Sequence, residues 1–128
     1  MTIEHLAIWV NDLERIKDFY CNSLGFSAGE KYTNAKKGFS SYFLSTDSGS
    51  RLELMHRADI PIHGENRGNR IGLAHFALSL GSKELVDAYT HRLRKEGVTI
   101  IGEPRTTGDG YYESIIEDPE GNWIELTV

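Results

Sequence analysis

From Ile3 to Val10 the chain alternates, which places Leu6, Ile8 and Val10 on one face of an extended strand and His5, Ala7 and Trp9 on the other. The period then changes: Leu13, Ile16, Phe19, Tyr20 and Leu24 recur at helical spacing, after a cap at Asn11 or Asp12 and before a left-handed stop at Gly25. The same order returns further on. Leu73 to Leu80 predicts a strand with Phe76, Leu78 and Leu80 on one face and His75, Ala77 and Ser79 on the other. Gly81 and Ser82 supply turn and cap, and Leu85, Val86, Tyr89 and Leu93 form a second helical stripe that closes at Gly97.

The later parts of the two copies match as well. "YFLSTDSGSRLEL" and "SIIEDPEGNWIEL" each read as strand, turn centred on Gly49 or Gly121, and strand. His5 and His75 stand 70 positions apart, Glu53 and Glu125 72, so about two residues separate the lengths of the copies. The pattern predicts a tandem duplication in an α+β chain: two modules, each a strand, a helix and then several strands, at about 1–57 and 71–128, joined by a Gly-rich, polar linker at about 58–70. Two copies are too few for a solenoid, so curved mixed sheets lining a common cleft are the expected arrangement.

The apolar face of each first strand should pack on its own helix, which turns His5 and His75 to the opposite side. The same count places Leu52 and Leu54, or Ile124, Leu126 and Val128, on the packed face and Glu53 or Glu125 on the free one. Two imidazoles and two carboxylates meeting in a cleft would suit a divalent metal such as Zn, Ni, Co, Fe or Mn and leave positions open for water or substrate. A lone strand His or Glu is ordinarily a hydrogen-bonded or solvated residue. The repetition of His with His and Glu with Glu makes the four a metal-binding set.

Composition narrows the partner. The 14 Lys and Arg are scattered in a chain of net charge −5, which offers no footprint for nucleic acid or an anionic membrane, and leaves a small molecule as the expected partner. There is no secretory signal pattern and no membrane-length apolar run. The single cysteine, Cys21, forms no intrachain bridge and reads as a packing residue, so a reducing cytoplasm is the expected location. His91, on the polar side of the second helix, is read as solvated; His63 in the linker and His56 after "LELM" could each reach a substrate but are assigned surface positions.

"IEHLAIWVNDLERIKDFYCNSLGF", "GLAHFALSL" and "YYESIIEDPEGNWIEL" together resemble the vicinal oxygen chelate superfamily, which includes glyoxalase I, extradiol dioxygenases, fosfomycin-resistance proteins and bleomycin-binding proteins. The resemblance covers nearly the whole chain. It implies paired βαβββ modules, usually in a homodimer, with a site completed within one chain or between two. The glyoxalase I branch is similar in using four protein ligands, which match His5, Glu53, His75 and Glu125. By that likeness the chain is a metal-dependent lyase, with Ni, Co or Zn ahead of Fe or Mn. It would convert a 2-oxoaldehyde thiol hemithioacetal to a 2-hydroxyacyl thioester through a metal-stabilised enediolate. Glu125 is then the preferred base and Glu53 the alternative.

The chain departs from that pattern at two positions. Glutathione-using bacterial members tend to carry an Arg four residues past the first metal His, where this chain has Trp9, and an Asn four past the first Glu, where it has Arg57. Trp9 cannot make the bidentate carboxylate contact of an Arg, which argues against glutathione as the thiol. Arg57 is then a candidate for holding an anionic group, or else a solvated charge at a strand end. In "TTGDGYYES" either Tyr111 or Tyr112 can touch substrate while the other is core, since alternation separates them. The alternatives are a dioxygenase or thiol transferase on the same scaffold, or a non-catalytic drug- or metabolite-binding module using Trp9 and the tyrosines.

Overall fold

The computed structural model describes residues 1–62 and 67–128, and the chain falls into two compact units, Met1–Ile62 and His63–Val128. His63 lies outside the described residues. In the first unit the strand β1 (His5–Trp9) leads into the helix α1 (Leu13–Leu24), then β2 (Ser27–Ala28), β3 (Tyr32–Asn34), β4 (Phe39–Ser45) and β5 (Arg51–Arg57). The sheet order is β1-β5-β4-β2, with β3 added to β4. Only β1 and β5 run parallel.

Asp12 is the cap of α1, accepting from the Arg15 amide at 3.0 Å, and Gly25 ends the helix at φ 78°. Leu13, Ile16, Tyr20 and Leu24 form the buried stripe. It packs against a sheet whose buried residues include Ile8, Leu44, Leu52 and Leu54. The three-residue β3 exceeds the expected βαβββ count. It forms because Asn34 caps a 3-10 turn at Ala35–Lys37 and Gly38, at φ 59°, returns the chain antiparallel into β4.

The second unit repeats the plan: β6 (His75–Ser79), α2 (Lys83–Lys95), β7 (Ile100–Thr106), β8 (Tyr112–Glu117) and β9 (Trp123–Thr127), in the order β6-β9-β8-β7 with β6 parallel to β9. Ser82 caps α2 through the Leu85 amide at 3.2 Å. The apolar stripe differs from the one predicted. Leu85 is 44% exposed and Tyr89 only half-buried, whereas Val86, Thr90 and Leu93 face the sheet. Thr90 is tolerated there because its hydroxyl bonds the Val86 carbonyl at 2.7 Å and Ser114 Oγ at 2.6 Å, so no polar group is stranded.

The turn before β9 is built on Asp118, 2% exposed. Its carboxylate accepts from the Glu120 and Asn122 amides at 2.9 Å each and from Asn122 Nδ2 at 2.7 Å. Asn122 Oδ1 in turn accepts from Arg67 Nη1 at 2.7 Å, which seats a short 3-10 turn, Arg67–Asn69, on this hairpin. Gly68 approaches so closely that a Cβ there would lie 2.1 Å from the Trp123 ring. Among the described residues no helix is long and apolar enough to cross a membrane.

The buried hydroxyl pair gives a direct check on this packing. Thr90→Val leaves Ser114 Oγ without its Thr90 partner and should cost about 1–3 kcal/mol in urea unfolding, whereas adding Ser114→Ala should recover much of that loss.

Candidate functional site

Each sheet has one face covered by its helix and one free of it, and strand alternation decides which side chains reach the free face. In the first unit the parallel register sets Ala7 opposite Glu53 and His5 opposite Arg51. Leu52 and Leu54 are buried on the helix side, so Glu53 projects from the other side together with His5. The opposed alanine leaves room for the carboxylate to lean toward the histidine. Its Oε2 lies 3.8 Å from His5 Nε2, and its side chain is only 15% exposed.

The arrangement recurs in the second unit. Ala77 stands opposite Glu125 and His75 opposite Trp123, and Glu125 Oε2 lies 3.3 Å from His75 Nε2 with its side chain again 15% exposed. Two ligands on one metal with bonds of about 2.1 Å sit roughly 3–3.5 Å apart, so both pairs have the donor types and approximately the spacing that a divalent ion takes. Within each unit these groups come as a pair. Among the described residues no group of three or more His, Cys, Asp or Glu that could hold a metal is present.

Groups that the sequence did not single out surround each pair. His5 Nδ1 is 2.5 Å from Glu4 Oε2, and Glu4 is held by Arg51, whose Nε donates to Oε1 at 2.8 Å. The His5 hydrogen bond, with Arg51 second, holds the Glu4 carboxyl below its ordinary range. An imidazole donating from Nδ1 to a carboxylate turns its Nε2 lone pair outward. Nε2 is thus the ring nitrogen that faces the Glu53 carboxylate. Arg51 also lies over the Phe43 ring at 4.2 Å, and the His5 ring meets Phe43 edge-on at 5.4 Å.

In the second unit the additional groups adjoin the carboxylate. Glu113, 8% exposed on β8, stands on the same face as Glu125 and accepts from Arg105 Nη2 at 3.0 Å. Burial, followed by the charge of Glu113, pushes the Glu125 carboxyl up from its ordinary value, while His75 and Arg105 pull the other way. A desolvated carboxyl of this kind is the better proton acceptor once ionised.

The Glyoxalase/Bleomycin resistance protein/Dioxygenase superfamily, compared as a family, matches residues 2–126. The chain belongs to this superfamily. Among curated relatives, the lactoylglutathione lyase of Pseudomonas putida is 28% identical over 147 residues, covering 95% of this chain and 82% of the lyase. The mitochondrial methylmalonyl-CoA epimerase of Bos taurus is 35% identical over 109 residues, covering 83% of this chain and 60% of the epimerase. The trypanothione-dependent glyoxalase I of Leishmania major matches in structure with a TM-score of 0.80 at 25% identity, over 99% of this chain and 86% of that one.

The remaining residues singled out from the sequence have distinct surroundings on this superfamily fold. Trp9 shares the free face with His5, and the structure brings Arg57 to it: the guanidinium lies 5.4 Å from the Trp9 ring centre while its Nε donates to Asp59 at 2.5 Å. Phe39 meets Trp9 edge-on at 6.1 Å. Tyr111 is 61% exposed in the loop before β8. Tyr112 turns to the helix side, opposite the face of Glu125, where its hydroxyl donates to Asp87 of α2 at 2.7 Å. Neither tyrosine is core, because this strand end lies at the rim of the helix packing. His56 corrects its surface assignment: it is part-buried, and its Nδ1 bonds the Val10 carbonyl at 3.0 Å, tying β5 to the end of β1.

Glu125 yields a pH prediction for the metal-free protein. Its folded value is raised above the ordinary 4.5, so the folded chain holds this proton more tightly than the unfolded chain does. The contribution is complete below the unfolded value and fades as pH rises through the folded one. Measured in chelator from about pH 4 to pH 8, the urea midpoint of the parent should fall relative to that of Glu125→Gln, which lacks this titration.

Proposed function

We propose that this chain is a glyoxalase I-like, metal-dependent lyase or isomerase that moves a proton on a carbon beside a carbonyl of a small oxygen-chelating substrate. The observation that carries the reading is the duplicated pair, His5 with Glu53 and His75 with Glu125, each on the helix-free face of its sheet. The four would hold one divalent ion, Ni, Co or Zn ahead of Fe or Mn, with both pairs supplied by one chain or by two chains of a homodimer. Such an ion, when bound, supplies Lewis-acid polarisation of a substrate oxygen, which acidifies the neighbouring C–H.

The chain's own residues divide the remaining work. Glu125, desolvated and raised in pKa, takes the carbon-bound proton and returns it to the adjacent carbon, with Glu53 as the alternative base. Trp9 offers a flat apolar wall and Arg57 an N–H edge for an anionic group, while Tyr111 adds a ring at the loop. With Trp9 where an Arg would be needed, a thiol other than glutathione is favoured. The cytoplasm is the proposed compartment.

A second reading, epimerisation of a 2-branched acyl thioester, has specific support in the 35% identity to the methylmalonyl-CoA epimerase. It shares the abstraction of a proton beside the carbonyl, but returns a proton to the same carbon from its opposite face, and it differs in the substrate. Hemithioacetals of several thiols and a 2-methyl acyl thioester in deuterated water would separate the two, the first by thioester formation and the second by deuterium at the branched carbon.

Elemental analysis should find about one Ni, Co or Zn per four-ligand site, lost in His5→Ala. Glu125→Gln should lower turnover by at least about 10²-fold, the range of a removed general base. Undiminished turnover would remove Glu125 from the mechanism. Bound iron with oxygen uptake on a catechol would transfer the assignment to a dioxygenase, and tight binding of a planar ligand after complete metal removal would transfer it to a binding module.

A further inference from the structure

Trp123 stands on the helix-free face of the second sheet, beside its register partner His75 and two residues before Glu125, while Ile124 and Leu126 between them are buried on the helix side. The Arg67–Asn69 turn lies across this ring. A Cβ at Gly68 would come within 2.1, 2.2 and 2.7 Å of three indole atoms, so only a glycine lets the backbone rest there. Among the described residues, one hydrogen bond completes the hold of the turn on the hairpin, from Arg67 Nη1 to Asn122 Oδ1 at 2.7 Å.

This seat carries a cost that the contacts do not offset. Arg67 Nε and Trp123 Nε1 are both closed off from solvent, and neither has a hydrogen-bond partner among the described residues. A buried donor left in this way gives up its water without replacement, which weakens the closed position by about tenfold for each. The link from the turn to β6 adds no packing to resist a swing. Arg70, Ile71, Gly72, Leu73 and Ala74 are all exposed, and Gly72, at φ 130°, supplies a backbone pivot.

We propose that Arg67–Asn69 is a strap that shields Trp123 when closed and lifts from it as a unit, gating the approach of small molecules to the Trp123 side of the helix-free face. Lifting breaks one hydrogen bond and the ring contact, and it returns both stranded N–H groups to water. The β6–β9 pairing does not change. With the strap raised, the indole becomes a flat apolar wall next to His75. Strap and ring belong to the second unit and act alike whether or not His75 and Glu125 hold a metal.

The indole proton of Trp123 reports the motion. Trp9→Phe leaves Trp123 as the single tryptophan, which assigns the Nε1–H signal in a proton–nitrogen NMR spectrum. Transferred to deuterated water, this proton should show a protection factor on the order of 100-fold below that of the slowest amides in β8 and β9, because local lifting costs less than global unfolding. In Gly68→Ala the added Cβ keeps the strap off the ring. That protein should lose the remaining protection of the indole proton and emit further to the red, with a thermal midpoint close to that of the parent.

The parent measurement decides the matter by itself if Gly68→Ala does not fold. Indole protection equal to that of the slowest sheet amides would overturn the lifting and make the turn a fixed part of the fold. An indole in the parent that exchanges as freely as exposed tryptophan would overturn the closed position. Emission and exchange in Gly68→Ala that match the parent would overturn the seating of Gly68 on the ring.

Discussion

The candidate site depends on one constraint, the parallel pairing of the first and last strands of each unit in a single register. Ala7 must lie opposite Glu53 and Ala77 opposite Glu125 for the carboxylates to stand beside His5 and His75. Side chains alternate with a period of two, so a slip by one residue would drive each glutamate into the face packed on the helix. The register is held from the helix side, where Leu52 and Leu54, or Ile124 and Leu126, are 3% exposed or less. The apolar core therefore fixes the position of the polar pair through the backbone between them.

The alanines carry the second part of that constraint. A larger residue at Ala7 or Ala77 would fill the space over which the carboxylate leans to reach the imidazole two positions back. The outer supports of the pairs are unlike in the two units, although the pairs themselves match. In the first unit an Arg–Glu ion pair backs the histidine, through Arg51 and Glu4; in the second an Arg–Glu ion pair backs the glutamate, through Arg105 and Glu113. The register partner of His5 is Arg51, whereas that of His75 is Trp123, covered by Gly68. The two halves thus keep equivalent ligand-type groups in different electrostatic settings: His5 is oriented by a carboxylate, and Glu125 is desolvated beside one.

Much of this was legible in the sequence because it is local. Strand alternation placed His5 and His75 away from the core, caps and glycines marked both helices, and the repeated hairpins showed the duplication. Leu85 and Thr90 mark where local reasoning stopped. A helical stripe read from apolarity alone selects Leu85, but the sheet selects the face carrying Thr90, because a hydroxyl that finds Ser114 is as easily buried as a leucine. Local sequence places His56 at the surface because nothing near it signals Val10, which lies 46 residues away yet bonds its ring.

By itself the sequence determined the α+β duplication, the two helices with their caps, and the faces on which His5, Glu53, His75 and Glu125 stand, since period and capping are properties of neighbouring residues. Tertiary structure alone decided which groups surround those four. Glu113 carried a readable hint, an acidic residue alternating with Ser114 and Ile116, but its place beside Glu125 requires the β8–β9 register. Arg105 reaches Glu113 only because the β7–β8 pairing shifts twice, between Ile100 and Gly102 and again before Arg105. Such irregularities in pairing are set by the whole sheet, and no spacing along one strand records them.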